Sequence, residues 1–313
     1  MQSFRAPRWL PGGDLQTIWP VLSSGRLQRP PYMRERWGTP DGDFIDVDHL
    51  DAAPGADRLV LFHGLEGSSS ARYAVAFATD AARRGWSFTV PHFRGCSGEL
   101  NRLPRAYHSG DFEEIGWVLE RLRAAAPGPL FAVGVSLGGN ALLRWAEEAG
   151  AAAARTVRAI AAVSAPVDLA AAGKAIDRGF NRIVYANNFL RTMKPKALAK
   201  WRQHPRLFDR DRLAAARTLR DFDDAFTAPL HGFRDAQDYW TRASARPHLR
   251  RIRVPALVLN ARNDPFVPAA SLPSVRDVGS FVTLWQPAHG GHVGFPGPAS
   301  ALPAAVGDWL AAA

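Results

Sequence analysis

Six short runs of strand-forming residues recur along the chain, most of them followed by a turn and a helical stretch. They are 59–62, 86–90, 130–133, 157–163, 254–259 and 282–285, and most are continuously apolar rather than alternating. A strand apolar on both faces must be covered on both faces, so the pattern dictates a mostly parallel central sheet flanked by helices. Helical stretches fit between the runs. Residues 71–84 are Ala-rich and stopped by Gly85. Residues 111–126 start on Asp111, carry Glu113 and Glu114 in the first turn, and stop at Pro127-Gly128. Residues 141–149 end at Gly150, and 299–312 read as a closing helix. The expectation is one α/β domain over 1–313. Residues 1–40, rich in Pro, Gly and Trp, read as an irregular arm anchored by its tryptophans, Trp9, Trp19 and Trp37. Residues from about 166 to 250 are too long for a plain connection and read as a helical cap, inserted over the sheet edge where open α/β folds bind ligands.

Gly134-Val135-Ser136-Leu137-Gly138 follows one of these runs and precedes a helix. Alone, a G-x-S-x-G sequence is weak, since it matches by chance on the order of 0.1 times in a chain this long. Between a buried strand and a helix it has the context of a nucleophile elbow, whose small residues permit the turn that exposes a serine hydroxyl. A serine is a poor nucleophile at neutral pH, so it needs a base, and the base needs an orienting acid. In this architecture they follow in the order serine, acid, histidine. Asp264 is the first carboxylate after the 254–259 run. His289 and His292 both follow the 282–285 run, and His292 is favoured because it lies deeper in a Gly-rich loop that can carry the imidazole over the serine. The oxyanion needs two amide donors, expected from Leu137, directly after the nucleophile, and from Leu65 in His63-Gly64-Leu65-Glu66-Gly67. His63, at a strand end, reads as structural, and Cys96 has no base placed for it. Nothing resembles a metal site, a phosphate loop or a dinucleotide fingerprint, so no cofactor is expected.

One cysteine excludes an intrachain disulfide, which fits a reducing, cytoplasmic setting. No run reaches the roughly 18 apolar residues of a membrane span, and residues 1–11, broken by Pro7 and Pro11, lack the apolar core of a secretory signal. The formal charge is +10, and it is not evenly spread. Residues 166–253 hold nineteen Lys/Arg and nine Asp/Glu, while the rest holds twenty of each. A cap with that charge is expected to attract anionic interfaces or acidic head groups; Arg use driven by a GC-rich genome is the bland explanation. Nucleic-acid binding would require a basic stripe interleaved with stacking aromatics or a recognisable module, and neither is present.

With these residues in place, the chain resembles the YheT-like esterases of the α/β-hydrolase superfamily, relatives of eukaryotic abhydrolase-domain lipases and fungal medium-chain ester synthase/esterases. The likeness runs from Leu10-Pro11-Gly12-Gly13-Asp14-Leu15-Gln16-Thr17 through His63-Gly64-Leu65-Glu66-Gly67-Ser68 and Phe93-Arg94-Gly95-Cys96-Ser97-Gly98. It continues through Gly134-Val135-Ser136-Leu137-Gly138-Gly139-Asn140, Phe222-Asp223-Asp224, Asn263-Asp264-Pro265 and Gly290-Gly291-His292-Val293-Gly294-Phe295. The resemblance implies the same triad and hydrolysis of carboxylic esters with medium-length acyl chains or of lipids. An alcohol acyltransferase would use the same acyl-enzyme, and a binding protein of the same fold would not need all three residues.

Overall fold

Strands buried continuously, with side chains pointing alternately to two covered faces, build the molecule. The computed structural model describes residues 4–23, 28–125, 127–297 and 300–313. Eight strands are β1 (Met33–Gly38), β2 (Phe44–Leu50), β3 (Arg58–Phe62), β4 (Ser87–Pro91), β5 (Leu130–Val135), β6 (Ala159–Val163), β7 (Ala256–Leu259) and β8 (Val282–Trp285). They form one sheet in the order β1-β2-β4-β3-β5-β6-β7-β8. β2 runs antiparallel to β1 and β4, and every other pairing is parallel.

Four helices join this frame early in the chain: α1 (Gly13–Ser23), α2 (Arg72–Arg83), α3 (Phe112–Ala125) and α4 (Leu137–Ala149). Successive strand residues point to opposite faces. Leu59 and Leu61 pack with Phe77 of α2 and with Val306 and Leu310 of the closing helix Ala301–Ala312. Val60 and Phe62 pack on the other side with Leu119 of α3 and Leu142 of α4. Alternation of this kind with both faces covered makes each strand read as a continuous apolar run.

The expected elements stand close to their sequence positions. The helix expected over 141–149 begins at Leu137, because the turn at Ser136 launches directly into it. Between the 157–163 run and its preceding helix, Ala153–Thr156 is helical and β6 starts at Ala159. Residues 1–3, 24–27, 126 and 299, which belong to the expected arm and to two expected helix ends, lie outside the described residues.

The arm departs from the expectation of irregularity, since α1 is a helix and Met33–Gly38 is a sheet strand. β1 shows no apolar pattern because it is an edge strand with five of six residues exposed. It is fastened to β2 by charge: Arg36 and Arg34 reach Asp46 and Asp48 at 2.8 and 2.7 Å. Those same buried aspartates break the apolar signature of β2.

Between β6 and β7 the chain is helical, including Leu169–Ile176, Asn187–Gln203 and Ala236–Ala243. The segment has a small core of its own around Leu190, Leu213, Phe222 and Phe226.

Candidate active site

Ser136 stands alone between the last residue of β5 and the first of α4, with φ 53° and ψ −119°. Only a very tight turn places it there. A Cβ on Gly134 would lie 2.4 Å from the Gly138 carbonyl oxygen, and one on Gly138 would lie 2.4 Å from the Phe62 carbonyl oxygen. Both positions therefore exclude any side chain, and their backbones close on each other and on β3. The Ser136 amide donates to the Val163 carbonyl at 2.8 Å and pins the turn against β6.

Asp264 follows β7 and His292 follows β8, so all three loops gather at the C-terminal ends of parallel strands. His292 Nε2 lies 2.9 Å from Ser136 Oγ, and His292 Nδ1 lies 2.9 Å from Asp264 Oδ2. Asp264 Oδ1 accepts the Phe266 and Val267 amides at 2.8 and 3.2 Å, which holds the carboxylate with its other oxygen toward the ring. The ring of Phe266 lies 4.2 Å from that of His292 and covers it. His289 is exposed and no hydrogen bond joins it to this group.

The two expected oxyanion donors are unclaimed. The amides of Leu65 and Leu137 have no acceptor among the described residues. The loop carrying Leu65 lies against the serine, since a Cβ on Gly64 would sit 3.2 Å from Ser136 Cβ. Its shape is fixed by two tyrosines. Gly64 donates its amide to the Tyr73 hydroxyl at 2.8 Å. Glu66, held at φ 57°, donates its amide to the Tyr107 hydroxyl at 3.0 Å, and that hydroxyl donates to Glu66 Oε1 at 2.9 Å. Lys196 of the inserted segment reaches Glu66 Oε2 at 2.9 Å.

The other two candidates are inert. His63 Nε2 accepts the Phe93 amide at 3.1 Å, which leaves Nδ1 to donate to the Gly64 carbonyl at 2.8 Å. Complete burial pushes its imidazole down to about 3, so it stays neutral. Burial pushes the Cys96 thiol up to about 12, which removes the thiolate needed for nucleophilic attack.

Three residues have a supporting role that sequence reasoning does not assign. Fully buried Gln16 of α1 accepts at Oε1 from Asn263 Nδ2 and from the Gly290 amide, both at 2.9 Å, and donates to the Leu10 carbonyl at 3.0 Å. Thr17 Oγ1 accepts the His292 amide at 2.8 Å. Asn263 Oδ1 accepts the Gly291 amide at 3.1 Å. One turn of α1 thus clasps the acid loop and the base loop together. In the sequence all three residues stand inside motifs of the family resemblance, without a role assigned to any of them, and Gly13, in the motif that holds Gln16 and Thr17, is required by contact: a Cβ there would lie 1.8 Å from the Asn263 carbonyl oxygen.

Above Ser136 and His292 opens a cavity of about 580 Å³ walled mainly by apolar residues, among them Trp19, Val21, Phe189, Phe295 and Leu302. That volume falls within the roughly 300–1,000 Å³ typical of small-molecule sites. No helix among the described residues is long and apolar enough to cross a membrane.

Comparison with known proteins agrees with the fold. Residues 57–297 match the family model of the alpha/beta hydrolase fold. The chain is 40% identical over 307 residues to "Putative esterase YheT" of Escherichia coli strain K12, covering 95% of this chain and 89% of that one. It is 30% identical to phospholipase ABHD3 of Mus musculus, covering 89% and 72%. It is 28% identical to monoacylglycerol lipase of Saccharomyces cerevisiae, covering 89% and 61%. Among solved structures, the Pyrococcus furiosus esterase Pf2001 superposes with a TM-score of 0.58 at 14% identity, covering 93% of this chain and 98% of that one. At that identity the likeness speaks for the fold alone. The protein therefore belongs to the α/β-hydrolase family, in its YheT-like esterase branch, and is a carboxylic ester hydrolase.

Proposed function

We propose that the chain cleaves carboxylic esters through a serine acyl-enzyme, with Ser136 as nucleophile, His292 as general base and Asp264 as the group that orients the base. The observation that carries this reading is the continuous relay from Ser136 Oγ through both nitrogens of His292 to Asp264, with 2.9 Å at each step. Asp264 accepts from Nδ1–H, which leaves Nε2 free to take the hydroxyl proton as Oγ attacks the ester carbonyl. The carbonyl oxygen then becomes an oxyanion that the Leu65 and Leu137 amides receive. A donor of this kind is worth about 10² to 10³ in rate. His292 returns the proton to the leaving alcohol. In the second half a water, deprotonated by the same nitrogen, attacks the acyl carbon, the bond from that carbon to Ser136 Oγ breaks, His292 returns the proton to Oγ and the acid leaves.

The substrate class is an ester with a medium-length acyl chain or a lipid. The apolar wall of the 580 Å³ cavity supports this, because an acyl chain there would leave water for apolar contact. The relatives named as a phospholipase and a monoacylglycerol lipase support it as well. A panel of p-nitrophenyl esters of increasing chain length tests the reading. kcat/KM should climb from acetate to medium-length acyl groups, and Asp264→Asn should lower it about 10³- to 10⁴-fold. A preference for acetate would sink the substrate assignment, and an unaffected Asp264→Asn variant would sink the triad.

A further inference from the structure

Helix α1 is built inside out. Its buried side is polar, with Gln16 and Thr17 bonded to the acid and base loops. Its outer stripe is apolar: Leu15, Trp19 and Leu22, at i, i+4 and i+7, are 48, 43 and 73% exposed. A helix on a soluble surface ordinarily arranges these the other way round.

The exposed stripe continues onto the inserted segment. Tyr185 donates its hydroxyl to Asp14 of α1 at 3.0 Å, and the turn beside it leaves Phe180 and Ile183 52 and 69% exposed. Trp19 and Val21 also line the cavity over Ser136, so the apolar stripe and the cavity share residues. The basic excess is here too. Between Asp177 and Asp209 the chain has eight Lys/Arg and no Asp/Glu. Arg178, Arg182 and Arg191 are exposed. Asp177 and Asp221 are close enough to feel Arg182, whereas no ion pair among the described residues engages Arg178 or Arg191.

We propose that this face seats on an anionic lipid surface. Leu15, Trp19, Leu22, Phe180 and Ile183 enter the boundary between head groups and acyl chains, and Arg178, Arg182 and Arg191 meet the phosphates. An acyl ester then passes from the lipid into the cavity without crossing water. Contiguous exposed apolar residues mark an interaction site of some kind, and the charge selects the partner. A second copy of the chain, paired face to face by two-fold symmetry, would set the same arginines against each other. An anionic leaflet instead strengthens binding roughly fivefold for each basic residue held near it. Only the delivery step rests on Ser136 being the nucleophile; the docking does not.

The test is co-sedimentation with vesicles of phosphatidylcholine alone and of phosphatidylcholine mixed with phosphatidylglycerol. The wild type should bind the mixed vesicles at least about tenfold more tightly, with binding falling steeply as salt rises. The double variant Leu22→Asp/Ile183→Asp touches neither the cavity nor the triad. It should lose vesicle binding by about tenfold or more while keeping its kcat/KM for a soluble short-chain ester. Equal binding to both vesicle types, no binding, or undiminished binding by the variant overturns the docking surface. So does a wild-type dimer, dissolved by the double variant and indifferent to vesicles, in sedimentation velocity. Retained soluble-ester hydrolysis in the Ser136→Ala variant would sink the nucleophile assignment and leave the docking result untouched, so the two readings fail separately.

Discussion

Ser136 holds φ 53°, a conformation that costs a residue with a side chain about 1–3 kcal/mol and persists only where the surroundings impose it. Here Gly134, Gly138 and the bond to Val163 impose it. His292 is held with comparable care: Asp264 on Nδ1, the Phe266 ring over its face and the Thr17 hydroxyl on its amide. On a soluble ester, His292→Ala should cost about 10⁴ or more in kcat/KM, because triad members act as a unit. His289→Ala, at an exposed position, should stay within about twofold of wild type. Thr17→Val should lower kcat about tenfold by loosening the base, and Thr17→Ser should recover most of it. Reversed effects at the two histidines would place the base at His289. The proposed triad could be singled out in the sequence because its chemistry demands fixed residue types beside fixed elements, and the structure brings those three residues within hydrogen-bond distance. The roles of Gln16 and Thr17 could not, although the resemblance motif contains both, because their partners lie 247 to 275 residues away and neither residue type marks a site by itself.

At the scale of elements, helices and parallel strands were legible wherever an apolar period was unbroken. They were hidden wherever charge or function replaced it. β1 and β2 are tied by Arg–Asp pairs, and α1 turns its apolar stripe outward. The inserted segment holds a further case. Asp223 is half-buried between the Thr227 hydroxyl at 2.7 Å and Trp240 Nε1 at 2.8 Å, with Asp177, Asp224 and Tyr239 around it. Burial, and then the neighbouring carboxylates, push its carboxyl up to about 7. The native state therefore keeps a proton that the unfolded chain releases from near 3.8 upward. Its contribution to stability is present at acid pH and is lost as pH rises toward 7. Asp223→Asn should be close to neutral near pH 4 and increasingly stabilising relative to wild type as pH rises toward 7, levelling off above it. Thermal unfolding of both proteins across this range checks it, and a difference that is flat or shrinks with pH would contradict it.

For the whole molecule, one sheet brings loops after β5, β7 and β8 to the same edge, and α1 returns from the far end of the sequence to lock two of them. The fold class followed from the alternation of apolar runs and helices. The proposed site follows from order along the chain, serine then acid then histidine. The outward face of α1 could not be read in advance, since only the assembled molecule shows which side of that helix is buried. The body of the chain is balanced in charge, and the excess of +10 lies in the segment between β6 and β7. Covalent labelling with a fluorophosphonate, followed by peptide mass spectrometry, tests the central claim most directly. A single adduct should map to Ser136 and vanish in Ser136→Ala, while circular dichroism of that variant stays native. An adduct on another residue, or labelling that survives in Ser136→Ala, would contradict it.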